Sequence, residues 1–188
     1  IAGASSASYN PPSGLTETTS YRRYAKDGSC NPDYSNSGGT WTVTVQEKPE
    51  ADAGENATIV EGETYTLDDA SAMHFTTVSW SSGGDGDFDN STAMNPVYTP
   101  GSGDILNGEA ELRMEAMPES PCLMSDTHCM TLTILRHPEV EIISPADGDR
   151  NYTYPVTITG TASDADGDLS KIMVRFNNGA WQDASGAE

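Results

Sequence analysis

The chain has 188 residues, 29 of them acidic and 9 basic, for a formal charge of −20. That charge repels phosphate backbones and anionic lipid, so nucleic acid is excluded as a partner, and no apolar run reaches the ~18 residues that direct insertion into a membrane requires. Three histidines and three cysteines, none clustered, leave little for a zinc site or a nucleophilic triad.

Apolar residues are sparse, so their placement must carry the fold. In chain order, Trp41, Val43 and Val45 alternate with Thr42 and Thr44. Ala110, Leu112, Met114 and Ala116 alternate with Glu111, Arg113 and Glu115, and Met130, Leu132 and Ile134 with Thr131 and Thr133. Val156 and Ile158 repeat the pattern, as do Ile172, Val174 and Phe176. Each piece has one apolar and one wet face, as an antiparallel sheet covered on one side requires. No window of a dozen residues shows a capped 3.6-residue period. The expected class is all-β.

Two prolines punctuate the chain. Pro49 and Pro138 each follow an alternating strand and precede a glutamate. Their separation is close to the ~100 residues of an immunoglobulin-type sandwich. Proline suits a short, stiff joint because it fixes φ and donates nothing to a ladder. Three units are therefore expected. Residues 1–47 are the closing strands of one domain, 48–136 a complete sandwich, and 137–188 the opening strands of a third. Most of the negative charge falls on the second and third. The sequence opens at Ile1 and stops just after a strand-like run, so a piece of a longer or processed chain is expected. Either missing residues or strands from a neighbouring copy would complete the partial units.

Several stretches carry a resemblance. Ser8-Tyr9-Asn10-Pro11-Pro12 through Tyr21-Arg22-Arg23, Cys30 and Trp41-Thr42-Val43 resembles the end of a repeat in large bacterial surface proteins, especially Bacteroidetes-type gliding-motility and adhesin-like proteins. Ala51-Asp52-Ala53-Gly54, Glu61-Gly62-Glu63, Val78-Ser79-Trp80, Gly84-Asp85-Gly86-Asp87-Phe88 and Asn95-Pro96-Val97-Tyr98-Thr99-Pro100 are similar to the PKD-like bead of the same proteins. Ile143-Ser144-Pro145, Val156-Thr157-Ile158 and Asp164-Ala165-Asp166-Gly167-Asp168 resemble the first half of a bacterial Ig-like module. The resemblance implies tandem PKD-like and Ig-like sandwiches on a cell surface or in an extracellular fibre. One departure stands out: the PKD-like pattern has a cysteine where this chain has Val60.

Without that cysteine the family's cross-sandwich disulfide cannot form, and Cys122 and Cys129 either pair with each other or stay reduced. They flank a loop between two alternating strands, a spacing at which a hairpin permits a disulfide. Cys30 has no evident partner. Asp147, Asp149, Asp164, Asp166 and Asp168 lie in two turns of the last unit. Two readings stand open: turn residues that bond their own backbone, or carboxylates that converge on Ca²⁺, which takes six to eight oxygens. An EF-hand loop fails, because Gly167 falls too early and Arg175 stands in place of the closing glutamate. Asp85, Asp87 and Asp89 are a weaker calcium candidate.

No Gly-Xaa-Ser-Xaa-Gly elbow or phosphate-binding glycine loop is present. With so many acidic residues, the spacing of any carboxylate pair carries no information, and no enzyme activity is expected. Trp80 and Trp41 are expected in sandwich cores, as is Trp181; exposed, they and Tyr9, Tyr21, Tyr24 and Tyr34 would be sugar platforms. The leading expectation is a non-catalytic, extracellular stalk or adhesive segment, with neighbouring modules, other copies in a fibre or surface glycans as partners. The alternative is an accessory or carbohydrate-binding region of a secreted polysaccharide-degrading enzyme.

Overall fold

The computed structural model describes residues 10–11, 13–24, 39–150, 155–167 and 169–184. Cys30, Asp168, Tyr9 and Tyr34 lie outside them. The described chain is all-β apart from one short helix.

Strands β1 (Thr19–Arg22) and β2 (Thr40–Val43) form an antiparallel ribbon with Tyr21 opposite Trp41. Here an expectation is corrected. Trp41 is 59% exposed and is not a core residue. The alternation does make a strand, but among the described residues this two-stranded ribbon has no second layer to cover its apolar face.

The middle unit holds the core. It runs through β3 (Glu50–Asp52), β4 (Ala57–Val60), β5 (Tyr65–Thr66), β6 (Ser71–Met73) and β7 (Phe75–Ser82). It continues through β8 (Asp87–Phe88), β9 (Val97–Thr99), helix α1 (Ser102–Asn107), β10 (Glu109–Pro118) and β11 (Asp126–Leu135). One sheet has the order β4-β11-β10-β7, with β4 parallel to β11. Smaller sheets, β3-β6 and β5-β9-β8, supply residues to the same core.

Register follows from the alternation. Leu112 lies opposite Met130 and Ala110 opposite Leu132, so Ala110, Leu112, Met114, Ala116, Met130, Leu132 and Ile134 all point inward. Glu109, Glu111, Arg113 and Glu115 point to water. A one-residue slip would exchange the two faces, which fixes the pairing. Each large inward side chain contributes about 1.5–3 kcal/mol on burial. Trp80, 5% exposed, stacks in series with Phe88 and Tyr98, at centroid distances of 5.9 and 4.9 Å. Its indole N–H donates to the Ala93 carbonyl at 3.1 Å.

Helix α1 is too short to register in a twelve-residue window. The Asp104 carboxylate accepts the Gly101 N–H at its start, and Gly108, in the left-handed conformation, ends it.

Cys122 and Cys129 are both free thiols, which corrects the disulfide expectation. Strand β11 begins at Asp126, so Cys129 sits inside it opposite Arg113, on the outer face. Cys122 stays in the preceding turn, its sulfur 3.9 Å from the Met124 carbonyl oxygen.

The last stretch forms two ribbons, β12 (Glu139–Ser144) with β13 (Thr159–Ser163), and β14 (Met173–Arg175) with β15 (Trp181–Asp183). Val156 and Ile158 precede β13 instead of forming it. Val140, Ile142, Phe176 and Trp181 are exposed. Trp181 is thus no core residue either; its ring lies 4.7 Å from the Arg175 guanidinium carbon.

Candidate functional site at the two ends of the middle unit

The chain joins and leaves the middle unit at opposite ends of β11. At the near end the Ala51 N–H donates to Asp126 at 3.0 Å, and Lys48 lies 3.5 Å from the same carboxylate. The Ala51 N–H, then the Lys48 charge, hold the Asp126 carboxyl below its ordinary range. Glu47 meets His74 at 2.7 Å, and the Gln46 amide reaches Glu119 at 3.4 Å. Pro49 is fully buried here. The linker is therefore stitched to the unit it leads into.

At the far end three successive residues are bonded. The Leu135 carbonyl accepts the Glu61 N–H at 2.8 Å. The Arg136 N–H donates to Asp166 of the last stretch. The His137 N–H returns to the Glu61 carboxylate at 3.1 Å, and its ring Nδ1 lies 2.8 Å from the same oxygen. The His137 backbone N–H, then its side chain, keep the Glu61 carboxyl below its ordinary value of 4.5. The Arg136 guanidinium reaches the Leu106 carbonyl at 3.4 Å, and its Nε sits 3.8 Å from Asp166. Pro138, unlike Pro49, is exposed.

Two of the aspartates singled out from the sequence bond the backbone of their own turns. Asp164 accepts the Asp166 N–H at 2.8 Å, and Asp149 accepts the Ala146 N–H at 3.1 Å. Asp147 lies in the same turn as Asp149 and is exposed. Among the described residues no three His, Cys, Asp or Glu side chains come together to hold a metal ion. Asp85 accepts the Gly103 and Asp104 N–H groups, while Asp89 accepts that of Val97. Asp87 pairs with Thr99 across β8 and β9.

Sequence reasoning missed Glu61, Arg136 and His137. One signal was available: basic residues are so rare here that an arginine just before a linker proline stands out.

Residues 138–187 match the family model described as a bacterial Ig domain. Residues 1–47 match a domain of unknown function, DUF8696. No curated protein and no solved structure matches the chain. Residues 138–187 are thus similar to a bacterial Ig domain, in keeping with the all-β strands of that stretch.

Proposed function

We propose that this chain is a segment of an extracellular bacterial stalk or adhesive fibre, in which tandem Ig-like and PKD-like units hold other parts of a surface protein at a distance. One observation carries the reading: the linkers on either side of the middle unit meet opposite ends of the ten-residue strand β11. At ~3.4 Å per residue those ends are about 30 Å apart. A unit with its two connections at opposite poles adds length when placed in series, whereas adjacent termini would fold the series back. The bacterial Ig domain match beside it supports a repeated, non-catalytic array. Neighbouring units of the same chain are the first partners, at a bacterial cell surface.

Small-angle scattering tests this. A compact 188-residue body would have a radius of gyration of roughly 16 Å. The stalk reading expects a value well above that and a skewed distance distribution. A compact profile overturns it.

A second reading rests on exposed aromatics. Trp41, Tyr24 and Trp181 are each about half exposed or more, and aromatic faces of this kind suit sugar rings. Under this reading the chain is a carbohydrate-binding or accessory region of a secreted polysaccharide-degrading enzyme. Glycan-array binding lost on Trp181→Ala or Tyr24→Ala would support it, and silence across a broad array would remove it.

A further inference from the structure

We infer that Asp166 fuses the last stretch to the middle unit by occupying a vacant rung of its main sheet, so that the joint at residues 135–138 is rigid. The N–H and C=O groups of a strand alternate in direction along it. On β11, Thr133 and Leu135 present their backbone groups to one neighbour, Ile134 and Arg136 to the other. On the β10 side, the last rung made within the unit is the Ile134 N–H on the Gly108 carbonyl at 2.8 Å. One step further the partner strand is gone, because residues 102–107 are wound into α1. The Arg136 N–H would therefore face an empty position. The Asp166 carboxylate takes it.

The opposite side of the linker is closed at the same time. The Leu135 carbonyl and the His137 N–H both bond to Glu61, which follows β4. Three consecutive linker residues are thus held alternately by the middle unit, the last stretch and the middle unit again. A flexible linker keeps its backbone polar groups in water; this one does not. The guanidinium completes the arrangement. Arg136 Nε is buried without a hydrogen bond, and the nearest anionic group is Asp166 at 3.8 Å. In a chain of charge −20, that attraction draws an acidic turn onto an acidic unit that would otherwise repel it.

Asp166 is itself prepared for the role. Its N–H is held by Asp164, whose carbonyl also accepts the Gly167 N–H at 3.3 Å. Gly167 adopts a φ of +79°, which a residue with a side chain takes at a cost. The turn therefore presents the Asp166 carboxylate outward on a fixed frame.

This deepens the stalk reading, to which a set angle between units would give stiffness. The test uses ¹⁵N relaxation and amide exchange on the whole chain. The native chain should show one rotational correlation time for residues 50–135 and 139–167, and a protected Arg136 amide. Asp166→Ala should speed exchange at Arg136 by at least about tenfold and give the two regions different correlation times, with the Leu112 and Leu132 amides still protected. Asp166→Asn, which keeps an acceptor oxygen, should restore most of the Arg136 protection. Separate correlation times in the native chain, or an Arg136 amide indifferent to Asp166→Ala, would overturn the inference. Failure here is distinct from failure of the stalk: an elongated scattering profile with independent tumbling removes the clasp alone, and a compact profile with common tumbling removes the stalk alone.

Discussion

The Tyr98 hydroxyl donates to the carboxylate of Asp104 at 2.6 Å, and neither side chain touches solvent. The same carboxylate accepts the N–H groups of Gly86 and Gly101, at 3.0 and 3.1 Å. Asp85, just before Gly86, grips the start of α1 in return through the Gly103 and Asp104 N–H groups. A buried carboxylate persists only when its lone pairs are satisfied, and here two neighbouring loops satisfy each other.

Tyr98→Phe removes one donor and leaves Asp104 buried and short of a partner, which should cost about 1–3 kcal/mol. Urea denaturation at neutral pH reads this directly. Burial, then the Asp104 carboxylate, push the Tyr98 hydroxyl up to about 12 from an ordinary 10.0. A raised value in the folded state means stability present in full below pH 10 and lost as pH climbs toward 12. The native unit should lose stability across that window, and Tyr98→Phe should flatten the loss. Equal alkaline slopes in both proteins would contradict the account.

The glycines around this knot are there for space. A Cβ built on Gly84 falls 1.5 Å from an Asp104 oxygen, and one on Gly101 falls 2.2 Å from an Asp85 oxygen. Gly83, next in sequence, would meet nothing nearer than 3.7 Å. Gly84→Ala and Gly101→Ala should therefore each lose about 1–3 kcal/mol or more by overpacking, and Gly83→Ala much less. Comparable losses at Gly83 and Gly84 would show that backbone freedom, not contact, sets the effect.

Acid should loosen the middle unit at this knot and at the Glu61–His137 contact. The Gly103 N–H, then the Asp104 N–H, hold the Asp85 carboxyl below its ordinary 3.8. The Glu61 carboxyl lies below its ordinary 4.5 through His137. A depressed value contributes stability above the unfolded value and loses it as pH falls through the folded one. The melting temperature should start to fall near pH 4.5 and continue below 3.8. Asp85→Asn should blunt the lower part of the limb, as thermal unfolding against pH would reveal.

Much of this architecture was legible in the chain. Strict alternation at 110–116 and 130–134 gave strand and buried face together, since side chains alternate between the two faces of a sheet. Trp80 was readable as core from its place in the middle unit, where an immunoglobulin-type sandwich buries an aromatic residue. Trp41 misled because its own strand has the same alternation; burial depends on a second layer, which local pattern does not encode. The Asp85–Asp104 knot was hidden for a related reason. Its members are nineteen positions apart, in a turn and a helix too short for periodicity to reveal. The cysteines failed on a boundary, since a strand starting at Asp126 places Cys129 in the ladder and not in the loop.

That boundary makes a chemical prediction. Cys129 lies on the exposed face of β11 and Cys122 in the turn before it. Alkylation of the unreduced, denatured chain should label both, as peptide mass spectrometry would show. A linked peptide pair would restore the disulfide and require β11 to begin later.

The final expectation concerns calcium. Asp166 is engaged with Arg136, Asp164 with the Asp166 N–H, and Asp149 with the Ala146 N–H. Each of these carboxylates gives at least one oxygen to a backbone donor, and Asp149 lies in a different turn from Asp164 and Asp166. Divalent ions should then act by screening, which at ~0.15 M salt already limits exposed charges to a Debye length near 8 Å. Calcium, magnesium and additional sodium chloride at matched ionic strength should raise the melting temperature equally. Specific binding would instead stabilise by mass action, in proportion to the logarithm of calcium concentration over its dissociation constant. A calcium-only gain abolished by Asp147→Asn or Asp168→Asn would establish a site there, and would mean that the Asp166–Arg136 contact yields to the ion.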